Sequence, residues 1–319
     1  GAVAGGPDAA VTDVPASSST PQGRGLGVVA VLSASAIWSF GGVLGKSTGA
    51  GGVVLSFWRL VMASLVVLAV AVWRGVRPTR AELRASAVAG VLFGLNLCAF
   101  FITLQYTTVS VALIIGALSP VVALPISGLF MGERVTAVKV GCALAAVAGV
   151  IVAVLTAPNA DDDTPTRAIG YVWVLVALFV WVLYLLQTKR VRAAVGTVAY
   201  MTSVTWIALA TVAVLAAFMW RDLGDVHGAG WAWVGLLALG PGLAGHGLVA
   251  WAQPRVAASV TSVLIQFEPV GASVAEWVFP GERMSLAQSL AMVVVVAALS
   301  TLAWSETREG HVALDEGLG

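Results

Sequence analysis

The sequence contains one short proline-centred phrase twice, each time inside a long apolar stretch. Pro120 lies within LSPVV (118–122), and Pro269 lies 149 positions further on within FEPVG (267–271). Twelve residues after each proline a Gly-Glu-Arg triplet begins, at Gly132 and at Gly281. Proline inside a helix removes a backbone donor and clashes with the preceding turn. Matching helix breaks in the two halves of an apolar chain indicate an internal duplication of the kind found in membrane carriers.

The composition requires lipid as the solvent for most of the chain. Hydrophobic residues make up 59% of the 319 residues and charged residues only 10%, whereas a soluble domain carries about 25% charged residues. Lipid accommodates helices and closed barrels because every backbone group must be paired internally. The apolar runs are continuous and do not alternate, which favours helices. No basic stripe with interleaved aromatic residues is present, which excludes a nucleic-acid partner.

Ten apolar runs are each close to the roughly 20 residues that a membrane span needs. They lie at 27–46, 53–73, 86–105, 110–131, 137–157, 169–188, 199–220, 231–252, 257–279 and 286–305. The sequence therefore predicts an all-α membrane protein with ten transmembrane helices, arranged as two five-helix repeats.

The positive charges predict the orientation in the membrane. If the N-terminus is cytosolic, twelve of the 17 Lys and Arg residues face the cytosol and four face outward, with Arg59 inside a span. Cytosolic loops are enriched in Lys and Arg, so we expect both termini in the cytosol. Because each repeat has an odd number of spans, the second repeat is inserted upside down relative to the first. Inverted repeats with a central site are typical of alternating-access carriers.

These spans divide the chain into five regions. Residues 1–26 are expected to be a disordered cytosolic tail because they contain too little apolar surface to fold. Residues 27–157 form the first repeat, 158–168 an outward acidic loop, 169–305 the second repeat and 306–319 a loose cytosolic tail. The acidic triplet at 161–163 is interpreted as a solvated turn. With two cysteines and no Cys/His cluster, we expect neither a metal nor a cofactor.

Several short segments form a further pattern along the chain. They are AIWSF (36–40), FWR (57–59), LQYTT (104–108), SP (119–120), GER (132–134) and AGV (148–150). This pattern resembles the EamA-type repeat of the drug/metabolite transporter superfamily. The resemblance covers about residues 27–305 and implies ten helices, inverted repeats and the movement of small metabolites, commonly outward. The second half departs from the pattern, since Glu268 stands where the first half has Ser119, and Pro280 precedes the second triplet.

Glu268 is the strongest candidate for a functional residue. It lies eleven residues into the ninth span, about 16 Å deep, near the middle of a core about 30 Å thick. A carboxylate there costs about 2.5–3.5 kcal/mol on insertion scales, so it should face a cavity or a partner. We expect it to bind a substrate ammonium or a proton; the alternative is a structural pair with a neighbouring helix. His246, on the preceding span, is expected to exchange protons with Glu268, or else to be packed and hydrogen-bonded.

A second pair of charges lies nearer the outer face. Arg59 is about 9 Å below that face and Glu276 about 5 Å below it. Neither charge should stand alone in lipid, so they are expected to pair. The pair is either a fixed structural contact or an outer gate that opens when substrate competes for it.

Five further residues are candidates for lining a substrate cavity. They are Trp38, Asn96, Tyr184, Gln187 and Gln266. Their aromatic faces suit a ring or a cation, and their amides suit a polar head, but interhelical packing explains each of them as well.

The sequence predicts a transporter and not an enzyme. The GPGLAG segment (240–245) matches GxGxxG, but it lies inside an apolar span with no preceding strand, and no convergent nucleophile–base set is present. We expect a bacterial inner-membrane carrier that moves a small polar or amphipathic metabolite, an amino acid or amine, outward, with protons as the candidate coupling ion. The alternatives are an uncoupled facilitator and a non-transporting receptor or assembly protein. No oligomeric state follows from the sequence.

Overall fold

A computed structural model describes the chain over residues 21–107, 112, 115–156, 167–218, 222–278 and 286–315, and the elements in these ranges are helical. The first half contains α1 (Pro21–Trp38), α2 (Gly41–Ser47), α3 (Gly52–Trp73), α4 (Arg80–Tyr106), α5 (Ser119–Met131) and α6 (Ala137–Leu155). The second half contains α7 (Ala168–Arg192), α8 (Thr197–Ala217), a 3₁₀ turn (Asp222–Gly224), α9 (Gly230–Leu237), a π-helical segment (Ala238–Gly245), α10 (His246–Ala252), α11 (Ala258–Leu264), α12 (Phe267–Val278) and α13 (Leu286–Asp315).

Within the described residues, six helical stretches are long and apolar enough to cross a membrane. They are Gln22–Ser47, Gly52–Trp73, Arg80–Tyr106, Ala168–Arg192, Thr197–Ala217 and Gly230–Ala252. Shorter apolar helices lie at Ser119–Met131, Ala137–Val152 and Ser289–Leu302. The outer surface is apolar as well, with Leu129 81% and Trp73 78% exposed, as lipid contact requires. The protein is thus an all-helical, multi-pass membrane protein, and the count of ten spans stays a prediction.

Both terminal helices extend further than the sequence predicts. α1 begins at Pro21, six residues before the expected first span, with proline at the helix start, where its missing amide hydrogen does no harm. α13 continues to Asp315, through most of the expected loose tail. Extending an existing helix needs no new nucleus, and this segment includes Glu306, Arg308 and Glu309, which are good helix formers. Residues 1–20 and the expected acidic loop at 158–166 lie outside the described residues.

The two halves pack against each other in matched pairs of contacts. α4 packs on α7 and α8, and the corresponding segments of the second half, the π-helical segment and α10, pack on α1 and α3. α3 also packs on α8, α5 on α11, and α6 on α13. In each of these last three contacts a helix of the first half packs on its own counterpart in the second half. This is the pattern expected when duplicated units pack about a two-fold axis.

Glycines allow the closest approaches between the helices. A Cβ on Gly90 would lie 2.6 Å from the Cβ of Ile207, and one on Gly94 would lie 2.9 Å from the carbonyl oxygen of Ala208. α4 can therefore lie directly against α8, as small residues permit in membrane bundles. Gly149 has the same role between α6 and α13, where a Cβ would lie 2.5 Å from Val295 Cγ2.

Candidate functional site

A cavity with about 1000 Å³ of empty volume, its mouth included, lies between the two halves. Its wall is drawn from α1–α5 and from the second half, and it is mostly apolar and aromatic with a few polar groups, as small-molecule sites usually are. The polar and charged side chains in the wall are Arg59, Asn96, Ser119, His246, Gln266 and Glu268.

The cavity lies toward one end of the bundle. Its residues on α4 (96–101) are within about 15 Å of the end of that helix, and those on α7 (174–181) are within about 20 Å of its start. These two helix ends meet, since the amide of Arg167 donates to the carbonyl of Tyr106 at 2.9 Å. We call this the cavity end of the protein, and the opposite end, where α5 and α7 finish and α11 begins, the latch end.

The helical chain is interrupted just before both repeated prolines. α5 begins at Ser119, one residue before Pro120, and α12 begins at Phe267, two residues before Pro269. The two breaks contact each other, since Nε2 of Gln266 donates to Oγ of Ser119 at 3.2 Å. Residues that the sequence analysis identified only as helix breaks and cavity candidates therefore meet at one point beside the cavity.

The backbone around Glu268 is held at the same point by α1 and by Ser39, the residue that follows α1. The Ser39 hydroxyl donates to the carbonyl of Glu268 at 2.9 Å, and the Ser35 hydroxyl is 3.5 Å from the carbonyl of Leu264. Gly271 permits this approach because a Cβ there would overlap Oγ of Ser39. Carbonyls freed by the helix break thus find donors, while the Glu268 side chain lines the cavity.

His246 stands inside a cage of aromatic rings. Ring centroids lie 4.6 Å away for Phe93, 4.9 Å for Trp38, and 6.0 Å for both Trp181 and Tyr184. His246 is only 6% exposed, and its Nδ1 has no hydrogen-bond partner among the described residues. Among the described residues His246 makes no hydrogen bond to the Glu268 carboxyl, but both side chains line the cavity. Proton exchange between them, direct or through water, stays a prediction.

Trp38 is fixed by the π-helical segment. Its indole nitrogen donates to the carbonyl of Pro241 at 2.8 Å. The ring lies so close to Gly245 that an added Cβ would overlap it. π-helical turns are rare and are frequent at functional sites. Here the π-helical turn supplies the Pro241 carbonyl as a hydrogen-bond acceptor and, at Gly245, the space that the indole occupies. The sequence predicts an uninterrupted span at this place.

Arg59 lies in the cavity wall at 5% exposure. Its guanidinium carbon is 5.6 Å from the centroid of the Phe101 ring, and its Nε is 3.3 Å from the place where a Cβ on Gly242 would stand. No carboxylate forms an ion pair with it among the side chains that the structure describes. The side chain of Glu276 lies outside the described residues, so the predicted gating pair stays a prediction.

The remaining candidates divide into wall and non-wall residues. Asn96 lines the cavity and joins α4 to α7, with its Nδ2 donating to the carbonyl of Ala177 at 3.0 Å. Tyr184 lies just behind the wall, stacked on Phe93 at 5.1 Å. Gln187 is not part of the wall. It is nine residues beyond Leu178, about half a turn around α7 at roughly 100° per residue, and so points away from the cavity.

Sequence reasoning missed Trp181, which lines the cavity and touches the cage. Trp181 precedes Tyr184 by three residues, so the two rings share a face of α7, and that spacing is the signal that could have identified it.

Polar contacts close the latch end. The carboxylate of Glu133 accepts from the amides of Ala258 at 2.7 Å and Ser259 at 3.0 Å. The ammonium of Lys189 donates to the carbonyls of Gln253 and Val256, each at 2.6 Å. A carboxylate at a helix start and a cation at a helix end both match the local dipole. We call these contacts the polar latch. In the sequence, Glu133 is recognisable only as part of the repeated Gly-Glu-Arg triplet.

Matched helical halves around one cavity, with apolar helices long enough to cross a bilayer, define a multi-pass membrane protein built like a carrier. The chain belongs to the EamA-like transporter family, whose model matches residues 25–155 and again residues 168–304. The expected family is thereby confirmed, and so is the duplication, since each half carries one copy. Members of this family are transporters and not enzymes.

The crystal structure of another protein has the same fold. It superposes with a TM-score of 0.72 at 23% identity and covers 88% of this chain and 98% of its own. At this identity the likeness concerns the fold alone. No curated protein matches the chain.

Proposed function

We propose that the protein is a secondary transporter of the bacterial inner membrane that moves an amino acid or a related amine outward by alternating access. The observation that carries the proposal is the position of Glu268. It is an acidic side chain at a helix break, and it lines a cavity between the two matched halves of a family-defined transporter.

Contacts at the two ends support an inverted relation between the halves. α1 begins beside residues 255–256, since a Cβ on Gly27 would lie 2.6 Å from Val256 Cγ2. α7, the counterpart of α1, begins beside Tyr106 at the cavity end. Equivalent helices thus start at opposite ends of the bundle. With cytosolic termini, the cavity end faces outward and the latch end faces the cytosol.

The polar latch supports alternating access. A carrier needs one end closed while the other is open, and here the cavity lies toward one end while Glu133 joins the halves at the other. Because the two halves correspond, exchanging their roles would open the latch end and close the cavity end.

The chemistry of the wall favours an amine-bearing, partly apolar substrate. An isolated carboxylate in a membrane interior is costly, and an ammonium group or a proton would neutralise that of Glu268. Trp38 and Trp181 present aromatic faces to the same space, and such faces attract cations and apolar groups. An amino acid or amine carries both kinds of group.

The test is counterflow of labelled amino acids in proteoliposomes. We expect Glu268→Gln to lower counterflow at least tenfold and to flatten its pH dependence. Glu82→Gln, which changes an exposed acid in the cap of α4, is the matched control and should transport normally. Wild-type rates and pH dependence in Glu268→Gln would remove Glu268 from the mechanism.

The same preparation separates the alternative functions. Wild-type transport that ignores an imposed pH gradient would favour an uncoupled facilitator. No exchange of any amino acid or amine, together with no ligand-induced rise in melting temperature, would favour a non-transporting receptor or assembly protein.

A further inference from the structure

Arg59 places a cation in the cavity that the proposed function leaves unused. Its guanidinium stays protonated in proteins, and it is 5% exposed in the middle of a bundle of apolar helices. Membrane proteins pair such charges or turn them toward a cavity that serves a substrate. Arg59 lines the cavity, so it is placed to meet whatever the cavity holds.

The neighbours of Arg59 position it without neutralising it. Phe101 offers a ring face, with the guanidinium carbon of Arg59 5.6 Å from the ring centroid. His246 belongs to the same wall and carries no negative charge. On the remaining side, the π-helical segment presents Gly242, where even a Cβ would stand 3.3 Å from Nε of Arg59. Each contact holds the side chain in place, and none supplies a negative charge.

Glu268 is the described acidic side chain in the same wall, and it forms no ion pair with Arg59 among the described residues. One cavity therefore presents a cation and a carboxyl group that do not satisfy each other. A ligand that carries both an anion and a cation is complementary to that arrangement. An amine without an anionic group would satisfy Glu268 but bring no anion to Arg59.

We propose that Arg59 is the carboxylate-binding subsite of the cavity, so that the substrates are zwitterionic amino acids and not simple amines. The planar guanidinium can donate two parallel hydrogen bonds to a carboxylate, while Glu268 faces the ammonium group and the aromatic wall takes the side chain. This inference rests on the proposed function and decides between the two substrate classes that it leaves open.

The experiment compares each amino acid with its own decarboxylated amine. Leucine and isoamylamine form one pair of probes, phenylalanine and phenethylamine the other. Affinities of the purified protein are measured by calorimetry, and counterflow is measured in proteoliposomes. We expect the wild type to bind at least one of the two amino acids ten times more tightly than the matching amine. In Arg59→Gln the amino acid should lose that advantage, while the affinity for the amine changes less than twofold.

Two further variants separate binding from a structural role. Arg59→Lys keeps the charge without the planar pair of donors and should keep part of the discrimination. Gly242→Ala pushes on Arg59 from the π-helical segment and should weaken amino acids more than amines. Arg59→Gln should melt at or above the wild-type temperature, because it removes a buried charge that has no ion-pair partner among the described residues.

Each result decides the question. Wild-type protein that binds amines as tightly as amino acids, or an Arg59→Gln variant that weakens both alike, would overturn the carboxylate subsite and leave the carrier proposal standing. Failure of the wild type to bind or exchange any of the four probes would overturn both. A fall in melting temperature of Arg59→Gln with unchanged selectivity would show that Arg59 is structural.

Discussion

Replacing Glu133 by glutamine should release the polar latch. In the closed latch each carboxylate oxygen of Glu133 accepts one amide, from Ala258 and from Ser259. Glutamine has the same shape but only one oxygen, and its NH₂ group would face the second amide, donor against donor. The substitution therefore removes one bond and the charge that strengthens the other.

The size of the effect follows from the strength of one such bond. A hydrogen bond to a charged group contributes about 1.5–3 kcal/mol. If the bond exists only while the latch end is closed, its loss shifts the closed–open equilibrium by that amount. Since about 1.4 kcal/mol corresponds to a factor of ten, the open fraction should rise about 10- to 150-fold.

Cysteine labelling from the latch side measures this fraction. Ser262 is fully buried on α11, one turn from the latch, and Ser262→Cys would react with an impermeant maleimide only when the latch end opens. The two native thiols, Cys98 and Cys142, are free and buried and are replaced by serine in the reporter. The labelling rate should rise by the same factor in Glu133→Gln.

The control removes a similar carboxylate–amide contact that lies away from the latch end. Glu82 accepts the Thr79 amide at 2.7 Å in the exposed cap of α4, and its change to glutamine should leave the labelling rate unaltered. An unchanged rate in folded Glu133→Gln protein would refute the view that this carboxylate holds the halves together. An equal rise in both variants would point to general loosening.

Two glycine substitutions test how the site and the bundle are packed. Gly245→Ala should displace the Trp38 indole from the π-helical segment and weaken substrate binding at least tenfold by calorimetry. Gly247→Ala, where a Cβ meets open space, is the control and should leave binding unchanged. If Gly245→Ala bound substrate as tightly as Gly247→Ala, the Trp38 indole would not contribute to the binding site. Gly94→Ala should lower stability by about 1–3 kcal/mol through overpacking between α4 and α8, seen as a lower melting temperature. Gly141→Ala, where an added Cβ would meet open space, should leave the melting temperature unchanged.

Most of the cavity candidates could be identified from the sequence because depth along a helix is a local quantity. Counting residues from the span ends placed Glu268 near the middle of the bundle and His246 one to two turns nearer one end, and both line the cavity. The face of the helix was harder to predict. Gln187 and Trp181 lie on one apolar helix whose composition is similar all the way round. Residue type alone therefore did not distinguish the wall from the outside, and the spacing of Trp181 and Tyr184 was the one local signal for the cavity face.

Partners were harder to predict than positions. The aromatic surroundings of His246 could not be predicted, because the rings come from three separate helices, α1, α4 and α7. The π-helical turn was missed for a related reason. Gly and Pro in a span permit a distortion, but the neighbouring Trp38 and Arg59 occupy the space that the distortion opens.

The sequence by itself determined the solvent, the helical class, the duplication and the family. These properties reside in composition and in the repeat of a phrase, and neither depends on how the chain is packed. Only the tertiary structure decided that Arg59 shares a cavity with Glu268 without pairing with it, and that Glu133 reaches the start of α11 more than a hundred residues away. Such contacts depend on how two separately encoded halves fit together, and no local pattern records that fit.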